Sequence, residues 1–161
     1  MIEVPSAIFT AAQIARAVDF FELGTNDLVQ YTLAVDRGNE NVSEWFRTLH
    51  PAVLYGINHT LRVAEEAKIP VIVCGEMAST PAYAVLLVGF GANDLSMTPS
   101  SIPRVRKVIA NIDSTGARRI AQKGLTCETA DEVEDLLRQE LITLWPELFT
   151  SEMLPAPRQR S

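Results

Sequence analysis

The sequence predicts an α/β fold: a partial (half) TIM (β/α)8 barrel of about four parallel strand–helix units, with additional helices toward the C-terminal end. Three observations lead there. Short apolar runs alternate with segments of helical period along most of the chain, and strict alternation of this kind implies a parallel sheet with right-handed crossovers. Each run gives way at once to a glycine or a polar turn, as a parallel strand does before its crossover. The count is the third: a closed barrel takes eight units and about 250 residues, whereas an open four-stranded sheet leaves two edges and a face to be covered.

In chain order, Met1-Ile2-Glu3-Val4-Pro5 is a strand-like fragment. Pro5-Ser6, with apolar residues at Ile8, Ala11, Ala12, Ile14, Ala15 and Val18, predicts a helix entered through a serine N-cap. Phe20-Phe21-Glu22-Leu23 is short enough for a buried strand; it breaks at Gly24 into a polar turn, Thr25-Asn26-Asp27, and resumes as an apolar segment ending at Asp36-Arg37-Gly38-Asn39. Residues 38–50 are polar, with Trp45 and Phe46 expected to tuck that loop onto the body. Pro51 starts a helix that runs to about Lys68 through Val53, Leu54, Ile57, Leu61 and Ala64.

The β-branched run Pro70-Val71-Ile72-Val73-Cys74 ends at Gly75 and predicts a second buried strand. Ser79 or Thr80 with Pro81 opens an apolar helix to Val88, closed by Gly89 and Gly91. Asp94-Leu95-Ser96-Met97 is a weaker strand. Helices follow at about 103–112, 114–124 and 129–144, the last announced by the capping box Thr129-Ala130-Asp131-Glu132. Residues 1–149 form the predicted half-barrel domain, and 150–161, with Pro155 and Pro157, a disordered tail.

A net charge of −6 argues against non-specific binding to nucleic acid or to acidic membranes. The basic residues Arg104, Arg106, Lys107, Arg118 and Arg119 fall at helical spacing among acids and read as solvated faces. No apolar run reaches the ~18 residues of a membrane span, and no export signal is visible. Cys74 and Cys127 have no metal-type spacing, so reduced thiols and a cytoplasmic location are expected.

Chemistry collects at the predicted C-terminal ends of the strands, the edge where parallel α/β folds bind ligands. Glu3, Asn26, Asp27, Cys74 and the turn at 96–100 all lie there, and Arg37 reaches in from the following loop. Two carboxylates suit a Mg²⁺ ion that also takes water and phosphate oxygens, and a guanidinium suits a phosphate or carboxylate. Taken singly, each residue has a plainer reading. Glu3 is then a frayed terminal residue, Asp27 a helix N-cap, Asn26 a turn residue and Arg37 a surface partner of Asp36 or Glu40. Cys74 is either an inert buried cysteine or a thiol at the barrel mouth; with a pKa near ~8.5 it is mostly protonated at neutral pH and able to donate to a carbanion-like carbon. His50 and His59 read as structural.

Several stretches together resemble one family. Met-Ile-Glu-Val-Pro at 1–5, Gly-Thr-Asn-Asp-Leu-Val-Gln-Tyr-Thr-Leu-Ala-Val-Asp-Arg-Gly-Asn at 24–39, His-Pro-Ala-Val-Leu at 50–54 and Cys-Gly-Glu-Met-Ala at 74–78 resemble Enzyme I, the phosphoenolpyruvate–protein phosphotransferase of the bacterial sugar phosphotransferase system. The resemblance continues through the Ser-Met and Ser-Ile-Pro elements at 96–103 and runs to about residue 140. It implies that Glu3 and Asp27 hold Mg²⁺, and that Asn26 and Arg37 contact phosphoenolpyruvate (PEP). It further implies that Cys74 protonates the enolpyruvate carbon after the phosphoryl group has left for a histidine on another domain, bound for the phosphocarrier protein. PEP synthase and pyruvate phosphate dikinase share the Asn-Asp and Cys-Gly elements and are similar over less of the wording.

The resemblance departs in places. Ser79-Thr80 stands where the family has Gly-Asp, and the phospho-histidine domain and first half of the barrel have no counterpart. The chain alone is therefore expected to bind PEP weakly and to lack turnover. The competing expectation is a non-catalytic binding or assembly module, and open sheet edges predict a homodimer or higher oligomer.

Overall fold

A computed structural model describes residues 1–149 and Leu154. Its centre is a three-stranded parallel sheet in the order β1 (Phe21–Gly24), β2 (Val71–Cys74), β3 (Asp94–Leu95). The register pairs Phe21 with Val71, Gly24 with Cys74 and Ile72 with Asp94. Ile2 adds a parallel bridge to Leu23 on the outer side of β1, its N–H donating to the Glu22 carbonyl at 2.6 Å. Spatial order thus follows chain order, with no reversal of the kind that marks a doubly wound sheet.

The sheet has two unlike faces. Ile2, Phe21, Leu23, Val71 and Val73 are buried under a shell that includes α4 (Pro51–Ala67) and α6 (Pro81–Gly89). By the alternation of extended chain, Glu22, Ile72 and Cys74 turn to the other side, where they are only half-buried and Asp94 is exposed. The strands expected to be buried are therefore buried on one face.

Several helices differ from expectation in their limits. The N-terminal helix is two short ones, α1 (Pro5–Phe9) and α2 (Ala11–Ala15), separated at Thr10. Ser6 is not the cap: Val4 takes that place with Pro5 in the first turn, and the Ser6 carbonyl instead accepts the Thr10 hydroxyl at 2.8 Å. The polar turn after β1 is absent as well. Gly24 is itself the N-cap of α3 (Thr25–Leu33), so strand passes directly into helix and Asn26 and Asp27 lie in the first helical turn. Trp45, at the end of a 3₁₀ turn (Glu40–Trp45), is 64% exposed, while Phe46 packs against the core. Arg47, two residues further on, bridges to Asp131 and Glu134.

The rest follows the pattern. α4 is capped by His50, whose Nδ1 accepts the Ala52 N–H at 3.1 Å. A single turn, α5 (Glu76–Ser79), precedes α6. α7 (Ile102–Ile109), α8 (Ser114–Gly124) and α9 (Ala130–Leu144) complete the shell. Thr129 Oγ1 accepts the Glu132 N–H at 3.2 Å, and Glu132 reaches back to the Glu128 N–H at 2.8 Å, one residue earlier than the usual box. Against α8, Gly89 leaves no room: a Cβ there would stand 2.3 Å from the Ala117 carbonyl oxygen. The predicted tail falls outside the described residues except for Leu154, which is buried in the core.

Candidate functional site

The ends of β1 and β2 are tied together by side chains from the helices that follow them. Thr25 donates its hydroxyl to the Cys74 carbonyl at 2.8 Å, and Asn26 Oδ1 accepts the Glu76 N–H at 2.9 Å. These bonds draw the start of α3 against the turn after β2. Gly75 makes the approach possible. Its φ is +99°, and a Cβ there would meet Thr25 Oγ1 at 2.3 Å and Asn26 Oδ1 at 3.0 Å. Asn26 is therefore not a strained turn residue: it sits in regular helix with its amide nitrogen unbonded among the described residues.

Glu3 lies across the end of the neighbouring strand. A Cβ on Gly24 would stand 2.8 Å from Glu3 Oε2 and 3.2 Å from Met1 Sδ, so both side chains lie over the half-open face. Asp27 does not cap α3; its carboxylate pairs with Arg37 at 3.5 Å, and the two side chains are 36% and 48% exposed. Arg37 is held at its own backbone by Gln30 Oε1, which accepts its N–H at 3.2 Å. Its partner is neither Asp36 nor Glu40; Asp36 instead accepts the Gly38 N–H at 2.8 Å. The five residues singled out from the sequence thus occupy the C-terminal edge of the sheet and the loop above it. The turn at 96–100 closes on itself, with the Thr98 and Ser100 hydroxyls 3.2 Å apart.

Cys74 is a free thiol, as is Cys127. Its S–H donates to the Leu23 carbonyl at 3.5 Å, and the Glu22 carboxylate belongs to the same face of the adjacent strand. Burial, then the Glu22 charge and more weakly that of Glu3, push the Cys74 thiol above the ordinary thiol range. The thiol therefore carries its proton at neutral pH. Neither histidine joins the site: His50 caps α4, and His59 stacks on Tyr55 with ring centroids 6.3 Å apart.

Among the described residues no cluster of three or more His, Cys, Asp or Glu is arranged to hold a metal. Glu3 and Asp27 are instead two half-exposed carboxylates at one edge, a hard-oxygen donor set of the size Mg²⁺ takes when water and substrate supply the rest.

Three contributors were not picked out from the sequence. Gly24 and Gly75 are visible there only as strand ends, because the contacts around them come from distant segments. Glu22 did carry a signal, a lone charge inside a four-residue apolar strand.

Residues 1–114 match the family model described as PEP-utilising enzyme, PEP-binding domain. The chain belongs to that family. Curated relatives extend the similarity beyond residue 114. A phosphoenolpyruvate-protein phosphotransferase of Haloferax volcanii is 45% identical over 137 residues, which is 85% of this chain and 24% of the relative. The protein of that name in Haemophilus influenzae is 40% identical over 142 residues, 88% of this chain and 25% of its own length. A multiphosphoryl transfer protein of Xanthomonas campestris is 44% identical over 139 residues, 86% of this chain and 17% of its length. The chain spans about a quarter of the length of the phosphotransferases it matches. In this PEP-binding domain the matched region contains every residue of the candidate site and ends at the start of α8.

Proposed function

We propose that the chain forms the PEP- and Mg²⁺-binding part of a phosphotransferase, in which PEP gives up its phosphoryl group to a histidine and, through it, to a phosphocarrier protein. The observation that carries this reading is the tie between the ends of β1 and β2. Thr25 and Asn26 bind the Cys74–Glu76 backbone and so set a thiol, a free amide donor, a carboxylate and a guanidinium around one edge. The relatives' names supply the reaction, and the family match supplies PEP.

Each residue has a role in this proposal. Glu3 and Asp27 hold Mg²⁺, which when bound neutralises charge on the transferring phosphoryl group. Asn26 donates its amide to the substrate. Arg37 exchanges Asp27 for the anionic groups of PEP, a bidentate partner that suits the guanidinium better than one carboxylate oxygen at 3.5 Å. Such transfers depend on positioning and on electrostatic stabilisation of charge. Cys74 acts as the acid on enolpyruvate. The S–H proton goes to the methylene carbon, the enolate electron pair becomes the carbonyl, and the thiolate regains a proton from water.

The fold proposal is a half-barrel over residues 1–149. In its favour, among the described residues, are the sequential parallel order, helices packed on one face and an opposite face carrying polar residues. A barrel places that face inward.

Calorimetric titration with PEP, with and without Mg²⁺, tests the reading. Weak binding that requires Mg²⁺ and disappears in Asp27→Ala and Arg37→Ala is expected. Binding indifferent to Mg²⁺ or to both substitutions would overturn it. The second arm adds the remaining three quarters of a relative as a separate chain; PEP-dependent phosphorylation should appear and depend on this chain.

A further inference from the structure

Glu22 has no place in the roles above, yet it stands one side-chain step in register from the thiol, as Asp94 does on the other side, and of the two it is Glu22 whose charge acts on the sulfur. Glu22 and Cys74 stand on the same half-open face, on adjacent strands, displaced by one side-chain step: Glu22 pairs with Ile72 and Gly24 with Cys74. Diagonal neighbours of this kind are within reach of long side chains. Gly24, directly opposite Cys74, has no side chain to stand between them. The S–H donates to the Leu23 carbonyl at 3.5 Å, while the Glu22 charge acts on the same sulfur from the half-open face.

The other charged groups around the sulfur come from every neighbouring segment. Glu3 approaches from the N-terminal segment and acts on the thiol more weakly than Glu22. Asp94 lies on the same face of β3 opposite Ile72, and Glu76 follows in the chain, both exposed. The cation of the mouth, Arg37, is engaged by Asp27. The surroundings of Cys74 are thus acidic, the reverse of the electropositive setting that activates a cysteine as a nucleophile.

We propose that Glu22 is the positioning residue of the Cys74 thiol: it holds the sulfur as a protonated acid and suppresses its reactivity as a thiolate. The inference rests on the proposed acid role of Cys74 for its purpose, while the Glu22–Cys74 pairing stands on the sheet register. The gain is protection. An ordinary thiol is about 3% thiolate at neutral pH, and the thiolate is the form that is oxidised and alkylated. On a half-open face that fraction matters. A carboxylate against the sulfur shrinks it and leaves the proton available for transfer to carbon.

The test is the pH dependence of Cys74 alkylation by iodoacetamide in the full chain, carrying Cys127→Ser and kept metal-free with a chelator. Glu22→Gln, nearly isosteric, should lower the midpoint by about one pH unit. The thiolate fraction then rises about tenfold while its intrinsic nucleophilicity falls about threefold, so alkylation at neutral pH should run about threefold faster. Glu22→Asp, which keeps the charge, should restore most of the midpoint, and Glu3→Gln should move it less than Glu22→Gln. An unchanged midpoint in Glu22→Gln, with far-ultraviolet circular dichroism showing the variant folded, would overturn the proposal. So would a Glu22→Asp profile identical to that of Glu22→Gln. PEP binding is scored separately: a shifted midpoint in a chain that binds no PEP leaves the pairing standing and removes the substrate reading, whereas an unshifted midpoint removes the pairing whatever PEP does.

Discussion

Two glycines at the strand ends have different consequences when given a methyl group. At Gly75 the backbone lies at φ +99°, and a Cβ would press on Thr25 Oγ1 at 2.3 Å. Gly75→Ala should therefore lose the Thr25–Cys74 tie and destabilise the chain by about 2 kcal/mol or more, read from the midpoint of chemical denaturation. At Gly24 the φ is −87°, open to any residue, and the first atom a Cβ meets is the mobile end of Glu3, at 2.8 Å. Gly24→Ala should displace the Glu3 carboxylate with little loss of stability. It should weaken Mg²⁺-dependent PEP binding several-fold in calorimetry; an unaffected titration would separate Glu3 from the metal.

Two helices end on a residue that is not glycine in the left-handed region. α3 stops at Ala34 (φ +54°) and α4 at Lys68 (φ +59°). At the end of α4 the Ile69 N–H returns to the Ala64 carbonyl at 3.0 Å, closing the helix in the manner that normally favours glycine. Lys68 is exposed and makes no ion pair among the described residues, so its side chain adds nothing that offsets the backbone cost. Lys68→Gly should stabilise the chain by about 0.5–1 kcal/mol, measured by thermal or denaturant unfolding, without altering the site. Arg47 shows how an element is fixed in the opposite way, by charge. Its guanidinium joins the loop after α3 to Asp131 and Glu134 of α9. Burial lowers its pKa, but bonds and charge from the two acids raise it further, so it ends above the ordinary arginine value.

At the scale of the whole molecule the asymmetry of the sheet dominates. One face is packed with helices, while the other carries half-buried Glu22, Ile72 and Cys74 beside exposed Met1 and Asp94. Face-to-face pairing of two copies would bring Glu3, Glu22 and Asp94 against their own likenesses, which costs free energy at neutral pH. Self-association should accordingly run through the sheet edges or the exposed aromatics of the shell, such as Phe9, Tyr31 and Tyr55. Light scattering at rising concentration should detect a dimer or larger species; a monomer throughout would remove the expected oligomer. Among the described residues, no helix is long and apolar enough to cross a membrane.

Much of this was legible in the chain by itself, for a physical reason. Strand-then-helix alternation is written in local periodicity, so α4, β2, α8 and the Thr129 cap of α9 follow from residues near one another in sequence. Glu3, Asn26, Asp27, Arg37 and Cys74 were legible as candidates because strand ends of a parallel sheet share one edge. What remained hidden were relations between segments far apart. The tie of Thr25 and Asn26 to the Cys74–Glu76 backbone, the need for glycine at Gly75, the approach of Glu3 to Gly24 and the bridge from Arg47 to α9 each depend on a distant partner. The juxtaposition of Glu22 with Cys74 belongs to that second group: register between β1 and β2 decides it, and register is a property of packing two strands together. The sequence alone determined which chemical groups stand at the strand ends; the tertiary structure decided which of them touch.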